Sequence, residues 1–232
     1  MNLVGDRAAP LPAHVQVRGR AVPVWPDGQG WSIVCEASMA ITRFADHATY
    51  GDDLAGDALT AESDARFGGA TGPGKRAACG HKVYDLPRWR TPAADLVHAR
   101  ALAFAQRCLS CVEVIADDTW CSIYRDGDYC LPHSHLRSEV SLIYMLDPGE
   151  TVADDSHSGL LCFNDARIAW CCPEEHGRAT RVLVPEMSAG TLLLFDSAYL
   201  HSVTPYRGRR PRITLSWNVG RRRLPGTPRP GM

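Results

Sequence analysis

Residues 117–146, DDTWCSIYRDGDYCLPHSHLRSEVSLIYML, decide the fold of this chain. They place His133 and His135 directly ahead of residues 140–146, an apolar run that predicts a buried strand. Side chains two apart in an extended chain point to the same face, so both imidazoles can reach one metal ion. A lone His-x-His is a weak signal, and the prediction therefore depends on what the rest of the chain adds.

Residues 190–219, GTLLLFDSAYLHSVTPYRGRRPRITLSWNV, supply a third histidine and an arginine. His201 follows a run apolar enough to be a buried strand, and imidazole is a ligand for iron, zinc, copper or nickel. Alternation puts Arg212, Thr214 and Ser216 on one face of a later strand. An arginine facing into a barrel is costly unless it meets an anion, and its planar fork suits a carboxylate. We therefore expect His133, His135 and His201 to bind one metal, with Arg212 and Thr214 holding a carboxylate beside it.

Short apolar runs separated by turn signals surround these residues and predict a fold that is mostly β with flanking helices. Their spacing suits a barrel or jelly roll. Residues 92–112 give the clearest helical pattern, with Pro92 in the first turn. The predicted strands are residues 120–124, 140–146, 160–163, 181–185, 191–195, 201–203 and 212–218.

We expect a single domain over residues 1–232. Its predicted parts are an N-terminal arm and loop or lid region (1–90), a supporting helix (91–116), a jelly-roll catalytic core (117–220) and a basic Pro-rich tail (221–232). Within the first part, residues 51–80 are rich in small residues and are interpreted as a loop or lid over the pocket.

Composition narrows the function classes. A net charge of −1 gives no reason to expect nucleic acid, and no apolar run approaches the roughly 18–20 residues of a membrane helix. Nine cysteines, an odd number, without an apolar leader argue against a disulfide framework. We expect a cytoplasmic protein with a small-molecule substrate and with neither nucleic acid nor membrane as a partner.

The chain resembles the Fe(II)- and 2-oxoglutarate-dependent oxygenases over residues 117–220. Within them it is similar to a group with a tryptophan-led strand, a glycine, and a His-x-His ahead of a Ser-x-x-Tyr strand. The matching pieces are Trp120, Gly127, His133-Ser134-His135, Ser141 to Tyr144, His201 to Pro205 and Arg212 to Asn218.

This resemblance implies a double-stranded β-helix (jelly roll, cupin-like) fold, with Fe(II) and 2-oxoglutarate as cofactors and dioxygen as co-substrate. The expected reaction is hydroxylation or desaturation of a small molecule, either an amino acid or a natural-product intermediate. His133 and His201 match the two histidine ligands of the family, and Arg212 with Thr214 matches the pair that binds the far carboxylate of 2-oxoglutarate. Ser141 and Tyr144 lie where the family often has a hydroxyl near the co-substrate.

The departure from the family is at the second ligand, where most members have Asp or Glu. Three alternatives follow: His135 is a true ligand, Glu139 takes its place, or the position stays open. Further along the chain, loops between strands carry candidate substrate contacts at His157, Asn164 and Arg167.

Two other function classes fit the histidines. A cupin-like three-histidine dioxygenase without 2-oxoglutarate would leave an inward Arg212 unexplained. A non-enzymatic metal-binding jelly roll would close a structural zinc site with a fourth ligand.

Overall fold

The computed structural model describes residues 10–35, 39–67, 80–135, 138–168, 171 and 181–221. Within these ranges the chain forms strands and two α-helices separated by short turns. In chain order they are β1 (His14–Val17), β2 (Arg20–Pro23), β3 (Ser32–Cys35), β4 (Met39–Arg43), α1 (Gly51–Glu62), β5 (His81–Tyr84), α2 (Pro92–Cys108), β6 (Val114–Tyr124), β7 (Cys130–His133), β8 (Val140–Asp147), β9 (Leu161–Phe163), β10 (Thr191–Asp196), β11 (His201–Val203) and β12 (Arg212–Arg221). Single 3-10 turns lie at His47–Thr49 and Leu86–Arg88.

Two antiparallel sheets form the expected jelly roll. The large sheet has the order β3-β4-β10-β8-β12-β6-β5, and the small sheet has the order β7-β11-β9. β12 lies between β8 and β6, paired with both, so its side chains alternate between the two faces of the large sheet. A separate hairpin pairs β1 with β2.

The large sheet has an apolar core on each face. On one face, alternate residues of β12 pack with α1 and α2; these are Ile213, Leu215, Trp217 and Val219. On the other face, between the two sheets, lie Tyr124, Cys130, Leu161, Phe163, Leu193, Phe195, Val203 and Tyr206. The polar residues of β12 face this second layer, which is where the candidate site forms.

α2 begins as the sequence predicts. Pro92 occupies its first turn, and the Thr91 hydroxyl accepts a hydrogen bond from the Ala94 backbone N–H at 3.3 Å. Its inner face carries His98, whose Nδ1 accepts a 3.0 Å hydrogen bond from the indole N–H of Trp217. Burial lowers the pKa of His98 to about 4, so the imidazole is neutral at pH 7.

Two details of the predicted organisation are wrong. The segment interpreted as a loop or lid begins with α1, which buries Leu54, Ala58 and Ala61 at helical spacing; residues 68–79 of that segment lie outside the described residues. Residues 181–185 form no strand, and Leu183 makes only an isolated bridge to Phe163. The tail from residue 222 onward also lies outside the described residues. None of the described helices is long and apolar enough to span a membrane.

Candidate metal centre and adjoining cavity

The three predicted histidines lie together between the two sheets. His133 ends β7, His201 begins β11, and the two residues are paired in register, while His135 follows two residues after His133. The ring centroids are 4.3 Å apart for His133 and His201, and 4.9 and 5.2 Å from these to His135. One nitrogen from each ring lies within 4.8 Å of the other two. The fold therefore brings together three donors that are suited to one metal ion.

Backbone carbonyls fix the orientation of two of these rings. His133 Nδ1 lies 2.8 Å from the Leu131 carbonyl oxygen, and His201 Nδ1 lies 2.9 Å from that of Tyr199. Because a carbonyl only accepts, Nδ1 carries the proton and donates in both rings. The Nε2 lone pair of each imidazole is left for a metal.

All three imidazoles are neutral at pH 7. Burial is the main cause in each case: it lowers the pKa of His133, lowers that of His135 to about 4 and lowers that of His201 to about 3. For His135 and His201 the repulsion from His133 adds to the effect. Neutral rings are the form that binds a metal, so burial prepares the cluster as ligands.

Glu139, the alternative second ligand, is directed elsewhere. Its Oε1 lies 2.9 Å from Arg221 Nη2, and its Oε2 accepts a hydrogen bond from the Arg221 backbone N–H. His135 instead turns into the cluster, and its backbone N–H donates to the Ser197 carbonyl at 2.6 Å. Among the described residues, His135 and not Glu139 therefore lies with His133 and His201.

Arg212, Thr214 and Ser216 line the same cavity as the histidines, as the alternation of β12 predicts. The cavity measures about 480 Å³ with its open mouth. Arg212 is only 2% exposed, and its Nη1 has no hydrogen-bond partner among the described residues. Its guanidinium lies 5.1 Å from the centre of the Tyr124 ring. Burial lowers the pKa of Arg212, yet guanidinium stays charged in proteins, so the cavity contains a buried cation without an anion.

Gly159 allows Arg212 this position. Its φ of +65° is in the left-handed region, and a β-carbon there would lie 3.0 Å from Arg212 Cδ and 3.0 Å from the Tyr206 ring. Any larger residue would press on the arginine side chain.

The two hydroxyl residues predicted to lie near the co-substrate, Ser141 and Tyr144, lie on opposite faces of β8. Ser141 lines the cavity, and its hydroxyl donates to Asn218 Oδ1 at 2.8 Å. Tyr144 faces the helices, where its hydroxyl lies 2.8 Å from that of Tyr50 and 2.7 Å from His47 Nδ1. Residues three apart in a strand point to opposite faces, which corrects the expectation that Tyr144 lies beside the co-substrate.

The three predicted substrate contacts do not line this cavity, and their contact with a substrate stays a prediction. Asn164 and His157 are exposed and do not line it. Arg167 forms a 2.5 Å ion pair with Asp165 and bonds the Ala198 carbonyl. Asn164 and Arg167 follow β9 of the small sheet, whereas His157 precedes this strand.

Three more residues shape the site; Trp120 is part of the resemblance to the oxygenases, whereas the sequence gives no prediction for Lys82. Asp165 is buried, and its Oδ2 accepts a 2.7 Å hydrogen bond from the Leu200 backbone N–H, which fixes the chain next to His201. Lys82 and Trp120 line the cavity, with the Lys82 ammonium 4.8 Å from the centre of the indole ring. Only the pairing of β5 with β6 brings Lys82 there, and nothing in the local sequence indicates that pairing.

The side chains present fit Fe(II) and 2-oxoglutarate. Three neutral imidazoles are suitable ligands for Fe(II). Nη1 of Arg212 is a buried hydrogen-bond donor with no partner among the described residues, and an anion would supply one. A dicarboxylate chelated to the metal and held by Arg212 would satisfy both.

Comparison with solved structures supports the fold. A Pseudomonas putida prolyl-4-hydroxylase is 19% identical, with a TM-score of 0.53 over 84% of this chain and 95% of that chain. EctD from S. alaskensis with bound Fe is 17% identical, with a TM-score of 0.58 over 91% and 82%. The non-heme alpha ketoglutarate dependent carbocyclase SnoK from nogalamycin biosynthesis is 10% identical, with a TM-score of 0.60 over 79% of each chain. No curated protein matches the sequence.

The chain is similar to one class of protein in both sequence and fold, the 2-oxoglutarate-dependent non-haem iron oxygenases. The family model described as "Putative 2OG-Fe(II) oxygenase" matches residues 118–218. Over these residues the chain is similar to the Fe(II)- and 2-oxoglutarate-dependent oxygenases.

Proposed function

We propose that His133, His135 and His201 hold Fe(II), and that Arg212 with Thr214 holds the far carboxylate of 2-oxoglutarate. The reaction proposed is hydroxylation or desaturation of a small molecule, an amino acid or a natural-product intermediate. One observation carries this proposal: a buried guanidinium nitrogen without a partner lies in the same cavity as three converging imidazoles.

Each protein group has a defined task in this scheme. The backbone bonds of His133 and His201 hold their Nε2 lone pairs toward the cluster, so the ligands are oriented before a metal arrives. The Arg212 fork and the Thr214 hydroxyl fix one end of the dicarboxylate, which directs its keto acid end toward the histidines. Phe195, Leu161 and Val203 provide apolar wall that limits water in the cavity.

Fe(II) and 2-oxoglutarate, when bound, supply the oxidising chemistry: dioxygen and the keto acid are converted to succinate and CO₂ as a substrate C–H bond is oxidised. The chain itself binds, orients and shields the reactants. Within the described residues the metal-binding group consists of three side chains only, so positions on a metal remain for exogenous ligands.

Arg212 separates this proposal from the other two classes. A cupin-like dioxygenase without 2-oxoglutarate has no use for a buried guanidinium, which would then only cost stability. A structural zinc site needs a fourth protein ligand, and the described residues offer none within the cluster.

The ligand set is tested by anaerobic Fe(II) titration of the metal-free protein. Loss of one of three imidazoles in His135→Ala should weaken Fe(II) binding by about tenfold or more. Glu139→Gln is the matched control and should bind Fe(II) as the wild type does. The reverse ranking would assign the ligand role to the carboxylate.

The reaction class is tested by incubation with Fe(II), ascorbate and 2-oxoglutarate in air, with succinate as the readout. Binding of 2-oxoglutarate to the anaerobic metal-loaded protein is measured in parallel by calorimetry. Succinate formation that disappears in His201→Ala supports the proposal. A protein that binds metal but not 2-oxoglutarate would instead be a member of one of the two other classes.

A further inference from the structure

Lys82 extends a row of side chains that begins at the proposed co-substrate site. It is paired with Ser122 on β6, and Ser122 is paired with Thr214 on β12. Residues paired across antiparallel strands share a face, so all three side chains point into the cavity, and all three line it. The neighbouring Val83 points the other way, into the core beneath the helices.

The cavity holds cations and no anions. Its described lining includes Lys82 and Arg212, three neutral imidazoles, and neither Asp nor Glu. No ion pair of Lys82 occurs among the described residues; the contact recorded for its ammonium is the face of Trp120. In this respect Lys82 differs from Arg125 and Arg100, whose guanidinium groups are paired with Glu62 and Asp46 at 2.7 Å.

The cavity would keep a net positive charge with a metal ion and 2-oxoglutarate bound. A divalent metal, Lys82 and Arg212 together carry +4, and the 2-oxoglutarate dianion neutralises two of these charges. In the proposed complex, Arg212 would pair with the far carboxylate of 2-oxoglutarate, and the metal would bind its keto acid end. Lys82 is then left without an anionic partner. A positive charge at a half-buried mouth attracts anions and disfavours cations.

Resting on the function proposed above, we propose that Lys82 binds a carboxylate of the primary substrate, so that the enzyme oxidises organic acids. The Lys82 ammonium is a single compact charge, and one carboxylate is the smallest organic anion that neutralises it. An acid-bearing intermediate therefore fits better than a free amino acid, whose ammonium group would meet no carboxylate on the described cavity wall.

The chain offers a direct probe, because Lys82 is one of only two lysines in the sequence. Reductive methylation with ¹³C-formaldehyde labels these amines and keeps their charge. NMR spectra are recorded on full-length protein loaded with Zn(II), which is diamagnetic and redox-inert, and with 2-oxoglutarate. Lys82→Met identifies the Lys82 signal. The probes are phenylacetate, phenylacetamide and phenethylamine at constant ionic strength.

Phenylacetate should shift the Lys82 signal saturably, with an affinity at least about tenfold above that of the isosteric amide. Phenethylamine should leave the signal in place. An amide that binds as well as the acid, or an amine that binds at all at this signal, would overturn the proposal.

Calorimetry with 2-oxoglutarate separates the two proposals. Lys82→Met should bind 2-oxoglutarate with wild-type affinity, whereas a loss as large as that in Arg212→Met would make Lys82 a co-substrate ligand and overturn the substrate role. If wild-type protein binds no 2-oxoglutarate while phenylacetate still shifts the signal, the oxygenase assignment fails and the acid site stands.

Discussion

Replacement of Arg212 by methionine should stabilise the protein without ligand and abolish its response to 2-oxoglutarate. Methionine keeps much of the length and apolar volume of the side chain but removes the charge. Arg212 is 2% exposed, Nη1 has no partner, and no ion pair of this residue occurs among the described residues. The ligand-free fold therefore bears the desolvation cost of a cation with little in return.

The size of both effects can be estimated. Replacing buried charge by well-packed apolar groups stabilises proteins by about 1–4 kcal/mol, from which the contact with the Tyr124 ring subtracts roughly 0.5–2 kcal/mol. We therefore expect the free energy of unfolding of Arg212→Met to rise by about 1–2 kcal/mol. Two charge-assisted hydrogen bonds to a carboxylate contribute about 1.5–3 kcal/mol each, so the Kd for 2-oxoglutarate should rise by at least about 100-fold.

Urea denaturation with and without Zn(II) and 2-oxoglutarate measures the first effect, and calorimetry measures the second. The control is Arg221→Met, which removes an exposed guanidinium 2.9 Å from Glu139. This variant should change the free energy of unfolding by less than about 1 kcal/mol and should leave the affinity for 2-oxoglutarate unchanged. If Arg212→Met lost several kcal/mol without ligand, the guanidinium would have an internal anion. If it kept wild-type affinity for 2-oxoglutarate, Arg212 would not be the carboxylate ligand.

Three further predictions concern other parts of the site and its support. His135→Asp should tighten Fe(II) binding by about tenfold in the absence of 2-oxoglutarate, because a carboxylate removes one unit of positive charge; unchanged affinity in a metal titration would argue against a ligand at this position. Gly159→Ala should lower the free energy of unfolding by about 1–2 kcal/mol because of its φ of +65°. It should also weaken the binding of 2-oxoglutarate, because the added β-carbon presses on the side chain of Arg212. Gly127→Ala, with a φ of +86° and no atom within 4 Å, should show the strain alone, so equal 2-oxoglutarate affinities in the two variants would contradict the contact. His98 has a folded pKa of about 4, below the ordinary 6.5, so its contribution is complete above pH 6.5 and about 3 kcal/mol is lost as the pH falls to 4. His98→Gln should flatten urea stability across this range, and a slope equal to that of the wild type would assign the acid sensitivity to other groups.

Alternation was the most reliable signal in the sequence. It placed Arg212, Thr214 and Ser216 on one face of β12, because a strand buried on both faces keeps a strict period of two. The same rule, applied to Ser141 and Tyr144, would have put them on opposite faces of β8, as the structure does.

Packing between distant elements was out of reach of the sequence. α1 has few large apolar residues, and its helix is stabilised by burying Leu54, Ala58 and Ala61 against the rest of the fold, so the composition alone suggested a loop. Lys82 likewise gains its place only from the register between β5 and β6, in which it faces Ser122. Local propensity carries no information about that register.

The way His133 and His201 are oriented has a consequence for how this site tolerates change. Both rings are aligned by a main-chain oxygen two positions upstream, at Leu131 and Tyr199, and every amino acid has such an oxygen. The side chains at those two positions are therefore not what orients either imidazole, whereas inserting or deleting one residue between oxygen and ring would spoil the alignment. Among related sequences, an insertion or deletion near either histidine should therefore matter more for the metal site than a substitution at residue 131 or 199.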